Sequence, residues 1–404
     1  MFQEVRENID FTQVIYNQIV PGLKDHLRCA VGSRREFLGS LASLTVLASL
    51  AKKSIAAEST LRGRVLPSVA VKYLDPATEF VVVRVTDPQY NSLLPSGGVR
   101  PLSNRGMLYA SDAAGRWEAF RMDLRTFESR QLTDAAALDP QSVSFQTGEK
   151  GFWHFDGGRL IETNISSLKT REVYRTPDEF EKMGGVGYAD DGRAAVFVEK
   201  GANGCRLRLL DLMRGSAQTL FETSGTEENE EIGDLLVRPK HASALYRMGN
   251  ARWLVDFASG KKQQLALAEG EAPQCQWTSD GRSLLYLSHP PDAKKLTEIR
   301  EFVPETGSDT EVAKTSQFAR FFANADASVF AGASGSKASP YVLLLARTVK
   351  REFTLAEHKA SDPRMVAPMF TPNSQSLLFQ SDRHGKPAIY WMAVEKFVSE
   401  TEGS

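Results

Sequence analysis

Gly106-Met107-Leu108-Tyr109-Ala110, then Ser111-Asp112-Ala113-Ala114-Gly115, then Trp117-Glu118-Ala119-Phe120-Arg121-Met122-Asp123-Leu124 reads as an apolar strand, a polar turn and a second apolar strand. A third strand ends at Gln131-Leu132-Thr133. Apolar and aromatic runs bounded by Gly, Asp and Ser suit a pleated sheet better than a helix. The unit recurs. Apolar first strands are read to start near Met107, Phe152, Ala195, Ala244, Leu284, Val329 and Leu377, at spacings of 40 to 49 residues. Several follow pairs that accept tight turns: Asp191-Gly192, Asp280-Gly281 and Pro372-Asn373. This period predicts an all-β chain, a seven-bladed β-propeller of four-stranded blades. Each blade buries its faces only against its neighbours, so the ring must close. The strand Phe80-Val81-Val82-Val83-Arg84-Val85 precedes the first unit and is expected to pair with the last blade around Ile389-Tyr390-Trp391-Met392. That pairing removes exposed sheet edges. The one helical expectation inside the ring is a short turn over Thr176–Met183.

Composition narrows the function classes. The chain has 404 residues, 42% of them hydrophobic, and 49 Lys and Arg against 50 Asp and Glu give a formal net charge of −1. Nucleic-acid binding needs a concentrated basic excess, so no nucleic-acid partner is expected. No apolar run reaches the roughly 18–20 residues of a membrane span. Of three cysteines, Cys29, Cys205 and Cys275, the last two fall in different repeats, and without a CxxC pair they indicate no thiol-metal site.

The N-terminal segment carries a targeting pattern. Ser33-Arg34-Arg35-Glu36-Phe37-Leu38-Gly39 opens an uncharged run from Leu38 to Leu50, followed by Lys52-Lys53 and Ser54-Ile55-Ala56-Ala57. Paired arginines before a mild apolar run, then small residues, are the wording of a twin-arginine signal. Residues 1–57 are accordingly read as leader and signal, with either an extended n-region or a translation start near Val31. Residues 70–397 are read as the propeller and 398–404 as a tail. A periplasmic or secreted protein is expected, with no membrane span after signal removal.

The closing unit reads Phe370-Thr371-Pro372-Asn373-Ser374-Gln375-Ser376-Leu377-Leu378-Phe379, then Ser381-Asp382, Gly385 and Pro387-Ala388-Ile389-Tyr390. This wording resembles the final blade of oligogalacturonide lyases and, more loosely, the repeats of Tol-type periplasmic propellers. Asp75-Pro76-Ala77-Thr78 with Val83-Arg84-Val85-Thr86 resembles the opening strand of that family, Met107–Thr133 its first blade, and Arg238-Pro239 and Trp277-Thr278-Ser279-Asp280-Gly281 its middle blades. The resemblance covers roughly residues 74–394. It implies cleavage of short pectin fragments by β-elimination, with a manganese ion held by histidines and a glutamine in the central cavity.

At the positions matching those ligands this chain has Gln274, Asp362, Met365 and Ala367. Met and Ala do not hold a hard divalent cation, so no metal residues are assigned, and Mn2+ enters only if the altered site still binds it. Arginines can take over carboxylate binding, because a planar guanidinium pairs with it bidentately. The resemblance places Arg238 at an Arg-Pro position, Arg364 beside the replaced histidines and Arg247 where the family has a histidine. Substrate binding is therefore expected at Arg238, Arg247, Arg364 and Gln274, with Arg238 and His358 as the catalytic candidates. His384 and His289 are read as exposed turn residues, and Glu227–Glu231 as a solvated acidic loop. No Ser-His-Asp wording, phosphate loop or dinucleotide fingerprint occurs. Two functions follow: a lyase acting on oligogalacturonides, or a non-catalytic exported propeller. The expected partner is an acidic oligosaccharide or a protein at the propeller face.

Overall fold

The computed structural model of the chain describes residues 62–224, 232–292, 294–315 and 318–402. The twin-arginine stretch and the acidic run Glu227–Glu231 lie outside the described residues. Seven sheets follow one another along the chain and are arranged as a ring, a seven-bladed β-propeller. Five sheets have four strands and two have five.

The ring closes as the sequence predicts. Val81–Arg84 is hydrogen-bonded beside Ala388–Ala393 of the last blade, with Val83 opposite Trp391 and Arg84 opposite Tyr390. Val85 N–H donates to Ile389 O at 2.9 Å, and Ile389 N–H to Thr86 Oγ1 at 2.9 Å. Two further strands extend the seam. Val71–Leu74 adds a fifth strand outside Val81–Arg84, and Val65–Leu66 adds one outside the first blade, against Ser129–Arg130.

The apolar runs are continuous because both faces of a blade are buried. Seven core clusters are found among the described residues, each between two neighbouring blades. In blade five, Leu284 and Tyr286 pack towards blade four while Leu285 and Leu287 pack towards blade six. In blade three, Ala195 and Phe197 face blade two, and Val196 and Val198 face blade four. Successive side chains point to opposite faces, so burial on both sides erases the apolar–polar alternation. At ~25 cal/mol per Å2 of apolar surface, a fully buried Leu or Phe contributes about 1.5–3 kcal/mol.

Two expectations are corrected. The strands read as first in each unit are second strands: Gly106–Ser111, Gly151–Asp156, Ala194–Gly201, Ser243–Met248, Leu284–His289, Val329–Ser334 and Ser376–Ser381. An inner strand precedes each and lines the axis. In blades three to six these are Glu181–Tyr188, Ile232–Val237, Glu271–Trp277 and Phe318–Ala323. All four shift register against the second strand, between Met183 and Val186, Gly233 and Leu236, Glu271 and Gln274, and Phe318 and Arg320. The bulges carry Gly184-Gly185, Asp234 and Pro273, which hide the strand pattern from a sequence reading. The helical turn expected over Thr176–Met183 is instead a turn closed by Phe180 N–H on Pro177 O (2.9 Å), followed by the inner strand of blade three.

Beyond the last blade the chain forms helix α1, Glu395–Glu402, whose Phe397 ring lies 5.0 Å from that of Phe80. No described helix is long and apolar enough to cross a membrane. Cys205 and Cys275 are not joined in a disulfide.

Candidate functional site

Every blade repeats one meander, so the inner strands run the same way along the axis. One mouth of the central channel collects their first residues and the other their last; these are called upper and lower here. The cavity around the axis measures about 1140 Å3. Its lining includes Asp139, Asp234, Gln274 and Arg320 towards the upper mouth, and Asp190, Asp280, Arg282 and Asp326 towards the lower.

A segment of blade one crosses this channel. Gly98 O accepts from Tyr188 N–H of blade three at 2.9 Å, and Ser96 N–H donates to Gln141 Oε1 at 3.2 Å. From the other side, Arg320 Nη1 of blade six reaches Ser96 Oγ at 3.4 Å. Gly98 is packed too tightly for any side chain. A Cβ there would press on Leu235 O, and would lie 2.6 Å from Gly187 Cα and 2.8 Å from Val186 O. Ser96-Gly97-Gly98 therefore bridges blades that lie apart on the ring.

The predicted site residues separate into two groups. Gln274 lines the channel, but its amide is spent on the next blade: Nε2 donates to Phe321 O (2.5 Å) and Oε1 accepts from Phe321 N–H (2.9 Å). Arg247 pairs with Asp234 (3.0 Å), which Arg252 also approaches at 3.2 Å. Arg364 is exposed and folds back on Asp362, Nη2 to Oδ2 at 2.9 Å. That contact, with the peptide N–H of Arg364 on Asp362 Oδ1, holds the Asp362 carboxyl below the usual carboxylate range.

Arg238 and His358 are not among the residues lining the channel, and neither are Arg247 and Arg364. Arg238 follows the inner strand of blade four and is 5% exposed. It donates to Gly281 O (2.6 Å), pairs with Glu305 (2.6 Å) and lies 5.0 Å over the Trp277 ring. It ties blade four to blade five outside the channel. His358 is fully buried, with Nε2 at 3.0 Å from Ser334 O and Nδ1 accepting from Ala360 N–H at 3.0 Å. This is the neutral ring, and burial lowers its pKa below the usual histidine value. Both nitrogens are engaged by backbone, so it has no lone pair for a substrate proton. Of the two histidines expected in exposed turns, His384 is exposed and sits 2.8 Å from the Tyr390 hydroxyl, whereas the half-buried His289 ends a strand.

The residues at the ligand-equivalent positions do not fit manganese. Gln274 and Asp362 are engaged as described, and Met365 and Ala367 supply a thioether and a methyl. Among the described residues no three His, Cys, Asp or Glu side chains converge on a metal-sized site. A hard divalent cation needs several oxygen or imidazole donors.

The residue that the sequence reading missed is Arg320. Among the described residues four arginines line the channel: Arg100, Arg282, Arg320 and Arg347. Arg100 lies 3.9 Å from Asp190, Arg282 3.4 Å from Asp280 and Arg347 2.5 Å from Glu301. Among the described residues Arg320 has no carboxylate in ion-pair contact; its one hydrogen bond is the long one to Ser96. Burial pulls its pKa down, opposed by the charges of Asp234 and Asp362. The sequence signal was a lone cation within Phe318-Ala319-Arg320-Phe321-Phe322.

The chain resembles the oligogalacturonide lyases. It is 23% identical over 389 residues to an oligogalacturonide lyase of Pectobacterium atrosepticum, covering 81% of this chain and 97% of that protein. It is 23% identical over 374 residues to an oligogalacturonate lyase of Dickeya dadantii, covering 79% and 94%. Among solved structures, an oligogalacturonate lyase in complex with manganese superposes with a TM-score of 0.76 at 21% identity, over 82% of this chain and 98% of that one. An oligogalacturonate lyase from Vibrio parahaemolyticus gives 0.75 at 22% identity, over 82% and 98%. The shared fold is the seven-bladed propeller. No family model matches the chain.

Proposed function

We propose that this chain takes acidic oligosaccharides of the oligogalacturonide type into the upper mouth of its channel and cleaves them by β-elimination. The resemblance to oligogalacturonide lyases over nearly their whole length supports the reaction class. The observation that carries the reading to a place is Arg320, a channel-lining cation without an ionic partner among the described residues. In the elimination a base takes the C5 proton of a uronate. The C5 electron pair forms the C4–C5 double bond, and the C4–O bond breaks with its electrons on the departing sugar oxygen, which is then protonated. The C5 proton is acidic only when the neighbouring carboxylate is neutralised, and a paired guanidinium does this.

A second reading, uronate or protein binding without cleavage, has its own observation. Among the described residues no histidine lines the channel, and the upper-mouth carboxylates are already engaged: Asp139 with Lys182, Asp234 with Arg247 and Arg252. Export belongs to the same proposal and rests on the twin-arginine wording at Arg34-Arg35.

The test is to incubate the purified chain with oligogalacturonides, with and without Mn2+, and to follow the ultraviolet absorbance of the unsaturated product. Accumulation supports the lyase. No product under either condition, with binding retained, replaces it by the second reading.

A further inference from the structure

The residues at the metal-equivalent positions do not suit a metal, yet the neighbouring strand carries an arginine without a counter-ion. We infer that Arg320 holds a single uronate carboxylate in the channel without a metal ion, and that Gln274 is a positioning residue that fixes the strand presenting it. The inference rests on the uronate reading above, though not on cleavage.

The electrostatics single out Arg320. The two nearby acids are each occupied by arginines of their own, Asp234 by Arg247 and Arg252, Asp362 by Arg364. What remains at the upper mouth among the described residues is one guanidinium, half-buried and bonded there only to a serine hydroxyl at 3.4 Å. A desolvated cation without a partner is costly, and an incoming anion offsets that cost. With the other cations engaged, the one guanidinium balances a single negative charge and leaves the second charge of a dianion uncompensated. A carboxylate therefore fits better than a doubly charged phosphate.

The local backbone explains how the arginine is aimed. The register shift between Phe318 and Arg320 breaks the inner strand's regular pairing at this point, and bulges re-aim side chains in this way. Gln274 then fixes the strand beyond the bulge. By donating to Phe321 O and accepting from Phe321 N–H, it fastens the residue next to Arg320 to blade five. Gln276 repeats the device two residues on, accepting from Ala323 N–H at 3.0 Å. A glutamine used twice by backbone is a strand clamp, and its orientation is set by the Phe321 peptide.

The test is calorimetric titration of the full chain with trigalacturonate in EDTA, with the methyl-esterified trisaccharide and inorganic phosphate as parallel ligands. The wild type is expected to bind trigalacturonate in EDTA and to lose about 10- to 100-fold affinity for the ester, the span of a charge-assisted bond of about 1.5–3 kcal/mol. Arg320→Gln is expected to lose the same factor for the acid and little more for the ester. Arg320→Lys should fall between, because an ammonium does not pair bidentately. Gln274→Ala is expected to weaken acid binding severalfold while leaving the ester unchanged, a loss of discrimination that general destabilisation would not produce.

Binding only with Mn2+, Arg320→Gln affinity equal to wild type, or phosphate binding as tightly as the uronate would each overturn the inference. The unsaturated product is followed in the same samples. Product formed independently of Arg320 sinks the inference and keeps the lyase, whereas Arg320-dependent binding without product does the reverse.

Discussion

Gly98 O of blade one accepts a hydrogen bond from Tyr188 N–H of blade three at 2.9 Å, so a segment of one blade is stitched to a blade that is not its neighbour. The contact needs a residue without a side chain, because a Cβ at Gly98 would meet the backbones of Val186, Gly187 and Leu235. Gly98→Ala is expected to cost about 1–3 kcal/mol through overpacking, read as a lower midpoint in urea unfolding. A variant as stable as wild type would show that the segment is free to leave the channel.

Ring closure makes a second prediction. Val82 is fully buried between blades six and seven, and its strand supplies the pairing that seals the circle. Val82→Ala is expected to destabilise by about 2 kcal/mol, and a chain starting at Pro88 to lose cooperative unfolding and to aggregate through the open edge of the last blade. Size-exclusion chromatography and urea unfolding check both. A monomeric, cooperative truncation would show that the ring needs no seam.

Arg238 was a substrate-binding candidate on resemblance and is placed as a tie between blades four and five. Arg238→Ala removes its bonds to Gly281 O and Glu305 and its packing over Trp277. The expected loss is about 1–3 kcal/mol of stability, since a buried carbonyl partner is left unsatisfied. A variant with wild-type stability that no longer binds trigalacturonate would return Arg238 to the substrate site.

His154 predicts a pH dependence. Burial is the main cause that pushes its pKa down to about 4, and Nδ1 has no hydrogen-bond partner among the described residues. The folded ring stays neutral where an unfolded histidine, near 6.5, binds a proton. Its contribution is therefore fully present above pH ~6.5 and is lost as pH falls towards 4, up to about 3 kcal/mol in all. Unfolding free energies measured from pH 7 to 4 should fall less steeply for His154→Gln than for wild type. Parallel curves would mean that His154 does not govern the acid limb.

The candidate site was legible only in fragments. Gln274 stands out in the sequence because it takes the place of a family histidine before Trp277, and the structure puts it on the channel wall. Its task was not legible, since the peptide it clamps belongs to the next blade. Arg238 and His358 stand out in the sequence only by their place in the resemblance, and such a place does not report burial. Arg320 was passed over because an isolated cation in a strand matches no motif; it stands out only beside three other channel arginines that all have partners.

Sequence alone determined the ring. Alternate residues of each blade's second strand feed two different interblade cores, so the apolar runs are long, regularly spaced and countable, and the strand before the first run completes the last blade. The tertiary structure alone decided what occupies the axis. Ser96 and Arg320 meet across 224 residues of chain, and Gln274 meets Phe321 across 47. Such contacts leave no periodic trace, because the inner strands of blades three to six are bulged where they face the channel. The blades repeat, and a repeat can be read from the chain; the channel is assembled once, from residues that become neighbours only when the ring has closed.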